Sequence, residues 1–512
     1  MGSQEHPAEL RPQPATRIRW PLLGLLFIAI AATYLFFISA GNGSQIPRQS
    51  WYFSALADGF LGGHLSLDIQ PSPELLAQPD PYDHANRSLW LWDATLHDGH
   101  YFLYWGPAPA LLAAGVKLVA GRQLRIGDEL LVLAFVLGRL AVGMAILALA
   151  LKKLFPRLHP WLAAPAVAVF GLANPYLFGL GRAGVYEAAI EGAQFFLLAG
   201  LLMGLLAIGV ARSRRHQLLL SSLAGCAWAV ALACRISLLV AIGALVLSTA
   251  WISSWGADRR RRELALRSLW IGAPVALTTF ALGAYNFARF GSWIDFGAAQ
   301  QLGYVPYSFS LLRFLPNLHA YLLREVFVSC RFPFVFAPFD AWELTPAWVF
   351  PEQTGYMPLE PAVGMLIAAP WVLLGAAAAR SAGRLYRRNP ASAPGLTIDP
   401  RDRLYFWLVT ACLAITLLAG VPALGMQFST MRFLADFTSA AILLAAIGFW
   451  TLISDATSAG RRRVVQAAGV LLALYTVLCS ILIGFQGGYY NSLERGNPAL
   501  YEQLTKRFSL CD

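Results

Sequence analysis

A chain of 512 residues in which 57% are hydrophobic and only 13% are charged carries about half the charge of a soluble domain, which excludes an ordinary globular enzyme. Its net charge of +11 does not indicate a nucleic-acid binder, because the arginines fall in short clusters between apolar runs, the pattern left by the positive-inside rule. An all-α, multi-pass membrane protein follows.

The first 20 residues are polar and basic, and the apolar run 21–40 is long enough to cross a bilayer. A cleaved signal peptide would have a shorter core, so the run reads as an uncleaved anchor with a cytoplasmic N-terminal tail. The segment 41–128 is then an outer loop. Its stretch from Arg48 to Pro109 holds Asp58, Asp68, Glu74, Asp80, Asp83, Asp93 and Asp98, with His64, His84, His97 and His100, against only Arg48 and Arg87. Its Trp and Tyr content argues against a disordered linker, since such linkers are poor in aromatics.

The run PALLAAGVKLVAG is too short to span and carries Lys117, so it is expected to lie in the interface as a surface helix. Spans are then expected at 129–151, 159–176, 190–211, 217–234, 236–255, 268–287, 362–379, 404–422, 434–454 and 464–485, about eleven with the first. With this count the basic clusters around Lys152, Arg212 to Arg215, Arg259 to Arg262, Arg380 to Arg403 and Arg461 to Arg463 all fall on the inner side. The expected divisions are therefore spans 2–7 over 129–287, a long outer loop over 288–361, spans 8–11 over 362–485 and an outer tail over 486–512. No internal repeat of the transporter kind is visible. The six cysteines show no CxxC spacing; Cys330 and Cys511 both fall in outer segments, which leaves a disulfide between them open.

Four short pieces resemble the GT-C membrane glycosyltransferases, the superfamily of protein O-mannosyltransferases and lipid A aminoarabinose transferases. LADGFLGGHLSLD follows the first span. YFLYWGPAPALL opens the interfacial helix, with Arg139 of LGRLAVG in the next span. Arg182 and Glu187 stand in GRAGVYEAAIEGAQFF, and Arg432 with Phe433 opens a late span in MRFLADF. The resemblance implies a GT-C-like fold of a bacterial inner membrane. It also implies transfer of a sugar, with inversion, from a polyprenyl phosphate donor to an acceptor hydroxyl on a glycan, lipid or protein at the outer face.

Such chemistry needs a carboxylate to take the hydroxyl proton and cations to hold the departing phosphate. The acidic pair expected at the start of the first-loop helix falls near Gln49 and Ser50, neither of which can act as a base. Asp58 is therefore the first choice, with Asp93 and Asp83 as alternatives and Glu187 orienting a substrate. Arg432, Arg182, Arg289 and Arg331 are the expected phosphate ligands, with Arg313 and Arg324 as further outer cations. His64, His100, Tyr104 and Trp105 are expected to contact substrate. No cofactor is required, and a divalent cation stays open although no HxxxH or HExxH spacing is present.

Structural roles compete with each of these. Asp58 could solvate a surface helix, and Asp80 and Asp83 in QPDPYD are natural turn residues. Glu187 and Glu191, four apart, could mark the end of a span, and the outer arginines could reach to lipid headgroups. The rival functions are a transporter or flippase of lipid-linked sugars and an inactive GT-C-like scaffold.

Overall fold

The computed structural model describes residues 20–43, 45–47, 50–257, 259–303, 308–338, 356, 360–388, 399–486 and 493–511. Gln49, Arg48 and most of the N-terminal tail lie outside the described residues. Nine helices among those described are long and apolar enough to cross a membrane. They are α1 (Trp20–Ile38), α4 (Asp128–Leu154), α7 (Val185–Gly209), α8 (Arg214–Cys234), α9 (Leu239–Ser253, counted from Ile236), α10 (Arg260–Phe290), α13 (Pro400–Leu418, continuing to Leu424), α14 (Met431–Ser454) and α15 (Ala459–Gln486). The shorter α2 (Tyr52–Gly62), α3 (Ala108–Ala120), α5 (Ala163–Leu172), α6 (Tyr176–Leu180), α11 (Phe314–Leu322), α12 (Gly375–Arg388) and α16 (Pro498–Phe508) complete the set used below.

Two of the expected spans are interrupted. The apolar run from Pro160 stops at Leu172, ahead of Asn174 and Pro175, and the run near 362–379 breaks into a four-residue helix, a 3-10 turn at Pro370–Leu374 and α12. Proline explains both interruptions, because it lacks the N–H that the helix ladder needs and disfavours helical backbone in the residue before it.

The bundle is built around α14, of which 89% of the apolar window is buried against 17% for α10 at the periphery. Burial at this level needs small residues at crossings. A side chain at Gly448 of α14 would meet the Leu374 carbonyl at 1.8 Å, so that crossing admits only glycine. Helix α7 packs between α4 and α8 and also touches α14, which brings the N-termini of α7 and α14 to the same end of the bundle.

That end carries the irregular chain. Two short antiparallel hairpins form there, β1 (Thr95–His97) with β2 (His100–Phe102) and β3 (Phe327–Val328) with β4 (Val335–Phe336). The first is tied to the long loop through Leu302 N–H to the Ala94 carbonyl at 2.9 Å and Thr95 Oγ1 to the Gly297 carbonyl at 3.1 Å. The second is fastened to the C-terminal segment after α16 by a Cys330–Cys511 disulfide, so the pairing left open by the sequence is formed. Helix α3 packs on α2 and leaves Leu111, Val116, Leu118 and Val119 exposed, the apolar face expected of a helix lying in a membrane interface.

Candidate functional site

Two helix starts and two loops converge at the loop-bearing end. At the start of α7, Glu187 sits in the first turn, where a carboxylate meets the positive end of the helix dipole, and accepts the Gly184 N–H at 3.2 Å. Arg182, just before the helix, has its Nε 4.0 Å from Glu187. At the start of α14, Thr430 caps the helix and hydrogen-bonds the Glu360 carboxylate, while Arg432 Nη2 donates to Glu360 Oε1 at 2.5 Å. Arg182 Nη1 reaches the same Oε1 at 3.2 Å. One carboxylate thus joins two guanidiniums contributed by different helix ends.

Asp93 forms the other side of the cluster. Its backbone is left-handed, with φ of 65°, a conformation Asp tolerates better than most residues. Its N–H donates to the Leu302 carbonyl at 3.2 Å. Its Oδ1 accepts the Tyr186 hydroxyl at 3.0 Å and Gln301 Nε2 at 3.3 Å. The Tyr186 ring lies under the Arg432 guanidinium, 4.1 Å from centroid to Cζ, a cation–π contact that links Asp93 to the arginines.

Electrostatics divide the two loop carboxyls. Burial pushes the Asp93 carboxyl above its ordinary value, only partly opposed by the Tyr186 hydroxyl and the Arg432 and Arg182 charges. Burial acts on Glu360 in the same direction, but Arg432, Arg182 and the Thr430 hydrogen bond overcome it and hold that carboxyl below its ordinary value.

A cavity of about 310 Å³ adjoins this cluster, lined by apolar surface from α8, α10 and α14 together with Tyr104 and Trp105. Gly106 makes this possible: a side chain there would meet the Ala233 carbonyl at 1.9 Å, so the Tyr104–Trp105 turn lies directly on the end of α8. Trp105 packs edge-on against Tyr186 at 4.6 Å, and Phe433, next to Arg432, lines the opposite wall. Arg235 forms a two-point pair with Asp436 at 2.7 and 2.8 Å. Arg289 donates to the Leu103 carbonyl at 2.6 Å and to Asn286 at 2.8 Å.

Of the residues singled out in the sequence, Asp93, Glu187, Arg182 and Arg432 come together, with Tyr104 and Trp105 beside them. Arg289 stands in the cavity wall. The others stand apart. Asp58 accepts Lys117 Nζ at 2.6 Å and lines a separate polar pocket with Asp68, Arg122 and Arg125. Asp83 caps a 3-10 turn by accepting the Ala85 N–H at 2.9 Å. His64 and His100 are exposed, their Nδ1 atoms 3.0 Å from Ser66 Oγ and 2.8 Å from the Asp98 carbonyl. Arg331 is exposed on the second hairpin, Arg313 donates to the Ser308 carbonyl, and Arg324 is buried against Ser429.

Sequence reading missed Glu360, Tyr186 and Gln301. Glu360 had a usable signal, an acidic residue in PLEPAVG where the long loop meets an apolar run. Tyr186 and Gln301 had none, because their roles come from partners more than 90 positions away in sequence. Among the described residues no three His, Cys, Asp or Glu side chains form a metal-ligand set.

No family model and no curated relative matches the chain. It is similar to the crystal structure of the Archaeoglobus fulgidus oligosaccharyltransferase in the apo form, with 12% identity and a TM-score of 0.49 over 96% of this chain. It is also similar to the archaeal oligosaccharyltransferase AglB from Archaeoglobus fulgidus in complex with an inhibitory peptide and a dolichol-phosphate, with 11% identity and a TM-score of 0.45 over 95% of this chain. The matches cover 60% and 59% of those chains, so this chain spans about three-fifths of their length.

Proposed function

We propose that this protein is a membrane glycosyltransferase of GT-C type that moves a sugar from a polyprenyl phosphate donor to an acceptor hydroxyl. The observation that carries the reading is the convergence of a half-buried carboxylate, Asp93, with two arginines, Arg182 and Arg432, around Tyr186, which packs on Trp105 of the apolar cavity wall. A lipid-linked phosphate needs both a greasy channel and a cationic end, and general-base catalysis needs a carboxylate beside them.

In this reading the isoprenoid chain lies along the cavity beside Trp105 and Phe433, and the phosphate faces Arg432 and Arg182. The acceptor oxygen attacks the anomeric carbon while Asp93 takes its proton. The bond from the anomeric carbon to the phosphate oxygen breaks, and polyprenyl phosphate departs with the electron pair, its growing charge met by the two guanidiniums. Attack opposite the leaving group inverts the anomeric centre. Tyr186 and Gln301 orient Asp93, and Glu187 orients Arg182.

In this reading the base is Asp93 and not Asp58, because Asp58 is engaged by Lys117 in a separate polar pocket whereas Asp93 is joined through Tyr186 to Arg432 and to Trp105 of the cavity wall. The Cys330–Cys511 disulfide favours an oxidising compartment for the loop-bearing end, consistent with an outer face.

The test is transfer by the full chain in lipid nanodiscs given radiolabelled polyprenyl phosphate mannose, glucose or arabinose. Turnover by wild type and its loss in Asp93→Asn, with donor binding kept, supports the assignment. Full activity in Asp93→Asn removes Asp93 as the base, and no turnover of any donor by wild type removes the donor class.

A further inference from the structure

Glu360 belongs to the cluster, yet the transfer reaction gives it no part. Its carboxylate is met by Arg182, Arg432 and the Thr430 hydroxyl. Two guanidiniums and a hydroxyl closing on one planar anion form a ligand set suited to phosphate as well as to carboxylate. Among the described residues Glu360 stands where the donor phosphate has to stand if those arginines receive it.

The attachment of Glu360 suits a residue that can leave. It lies outside any helix or strand, at the edge of the segment before the broken apolar run. The neighbouring chain is held by Gly364 N–H to the Arg324 carbonyl at 2.8 Å and by Met431 N–H to the Pro361 carbonyl at 3.2 Å. Arg182 and Arg432 are rooted differently, one beside the α7 N-terminus and the other in the first turn of α14, the most buried helix. When a competing anion arrives, the loop side chain moves and the helix-borne cations stay.

We infer that Glu360 is an internal occupant of the donor phosphate site, a carboxylate that offsets part of the charge of Arg182 and Arg432 and is displaced when the polyprenyl phosphate binds. This rests on the reading of those arginines as phosphate ligands. Two consequences follow. The two guanidiniums beside an apolar cavity are not left wholly uncompensated before the donor arrives, and donor affinity is lowered by the fraction of protein in which Glu360 is in place.

The test is equilibrium binding of undecaprenyl phosphate, without sugar, to the full chain in nanodiscs. Wild type, Glu360→Gln and Arg432→Gln are compared, with thermal unfolding measured on each. Glu360→Gln is expected to bind about tenfold more tightly than wild type, and Arg432→Gln about tenfold more weakly. Unchanged or weaker binding by Glu360→Gln, with Arg432→Gln still impaired, overturns the displacement and leaves the donor site standing. Equal binding by wild type and Arg432→Gln overturns the phosphate site itself, and the displacement with it. Hydrogen exchange on wild type gives a readout that needs no variant: on adding undecaprenyl phosphate, amides in 362–366 should exchange faster as Glu360 leaves, and slower exchange there overturns the displacement.

Discussion

Two sites on the loop-bearing end, each holding an aspartate of the same acidic loop, have different capacities. Around Asp58, one carboxylate meets one ammonium at 2.6 Å, with the carboxylate 31% exposed and the pair set beside a polar, open pocket. Around Asp93, a carboxylate, a tyrosine, a glutamine, two arginines and Glu360 form a connected set bordered by an apolar cavity. The first arrangement is complete in itself and steadies α3 against α2. The second joins Asp93 to Arg432 through Tyr186, and burial raises the Asp93 carboxyl above its ordinary value while the arginines hold that of Glu360 below it. Carboxylates close in sequence are thus separated in capacity by what packs around them.

The largest expected effect breaks the base end. Asp93→Asn should lower transfer by about 10²- to 10⁴-fold, the usual range for loss of a general base, with donor binding retained; single-turnover kinetics measure it. Because the Asp93 carboxyl is raised and the base must be ionised, kcat/KM of wild type should fall as pH drops through a value above the ordinary carboxylate pKa of about 4. The same raised value means that Asp93 adds stability below its unfolded pKa and loses that contribution as pH rises through its folded one, so activity and this part of stability respond to pH in opposite directions.

Next comes the cation end. Arg432→Gln should cost about 10²- to 10³-fold in kcat, as for removal of one donor to a developing oxyanion. An effect on KM alone would assign Arg432 to uniform binding instead. Smaller again is the tether: Cys511→Ala should destabilise the outer segment by about 2–4 kcal/mol. Limited proteolysis should then cut near the second hairpin sooner, and the Asp58–Lys117 pair should be untouched. The smallest effect is expected at Asp58. Asp58→Asn should change transfer by less than about threefold, with a loss of about 1 kcal/mol in stability from leaving buried Lys117 unpaired. A hundredfold loss of transfer there would reverse the ranking of the two sites.

The reading of the sequence reached the fold further than the site. Arg182, Glu187 and Arg432 were legible through the resemblance to the GT-C glycosyltransferases, whose motifs they match in GRAGVYEAAIEGAQFF and MRFLADF. Asp93 was legible only as one of seven acidic residues in its loop. Lys117 was read as the awkward residue of an interfacial helix, and nothing local announced that its partner is Asp58, 59 positions earlier.

The bilayer imposes a local rule, about 20 apolar residues per crossing with every backbone polar group satisfied within the helix. The sequence by itself therefore determined the all-α spanning architecture and the short, separate α3, but the breaks in the runs 159–176 and 362–379, both expected as whole spans, came only with the structure. Which carboxylate meets which cation obeys no local rule. It depends on the packing of α7 against α4, α8 and α14 and on loops pinned by single hydrogen bonds, such as that from Leu302 to Ala94. Only the tertiary structure decided that Asp93 joins Arg432 through Tyr186 and that Glu360 lies between two arginines, because hydrogen bonds and ion pairs need atoms within about 3–4 Å and the chain carries no record of which distant residues it will bring that close.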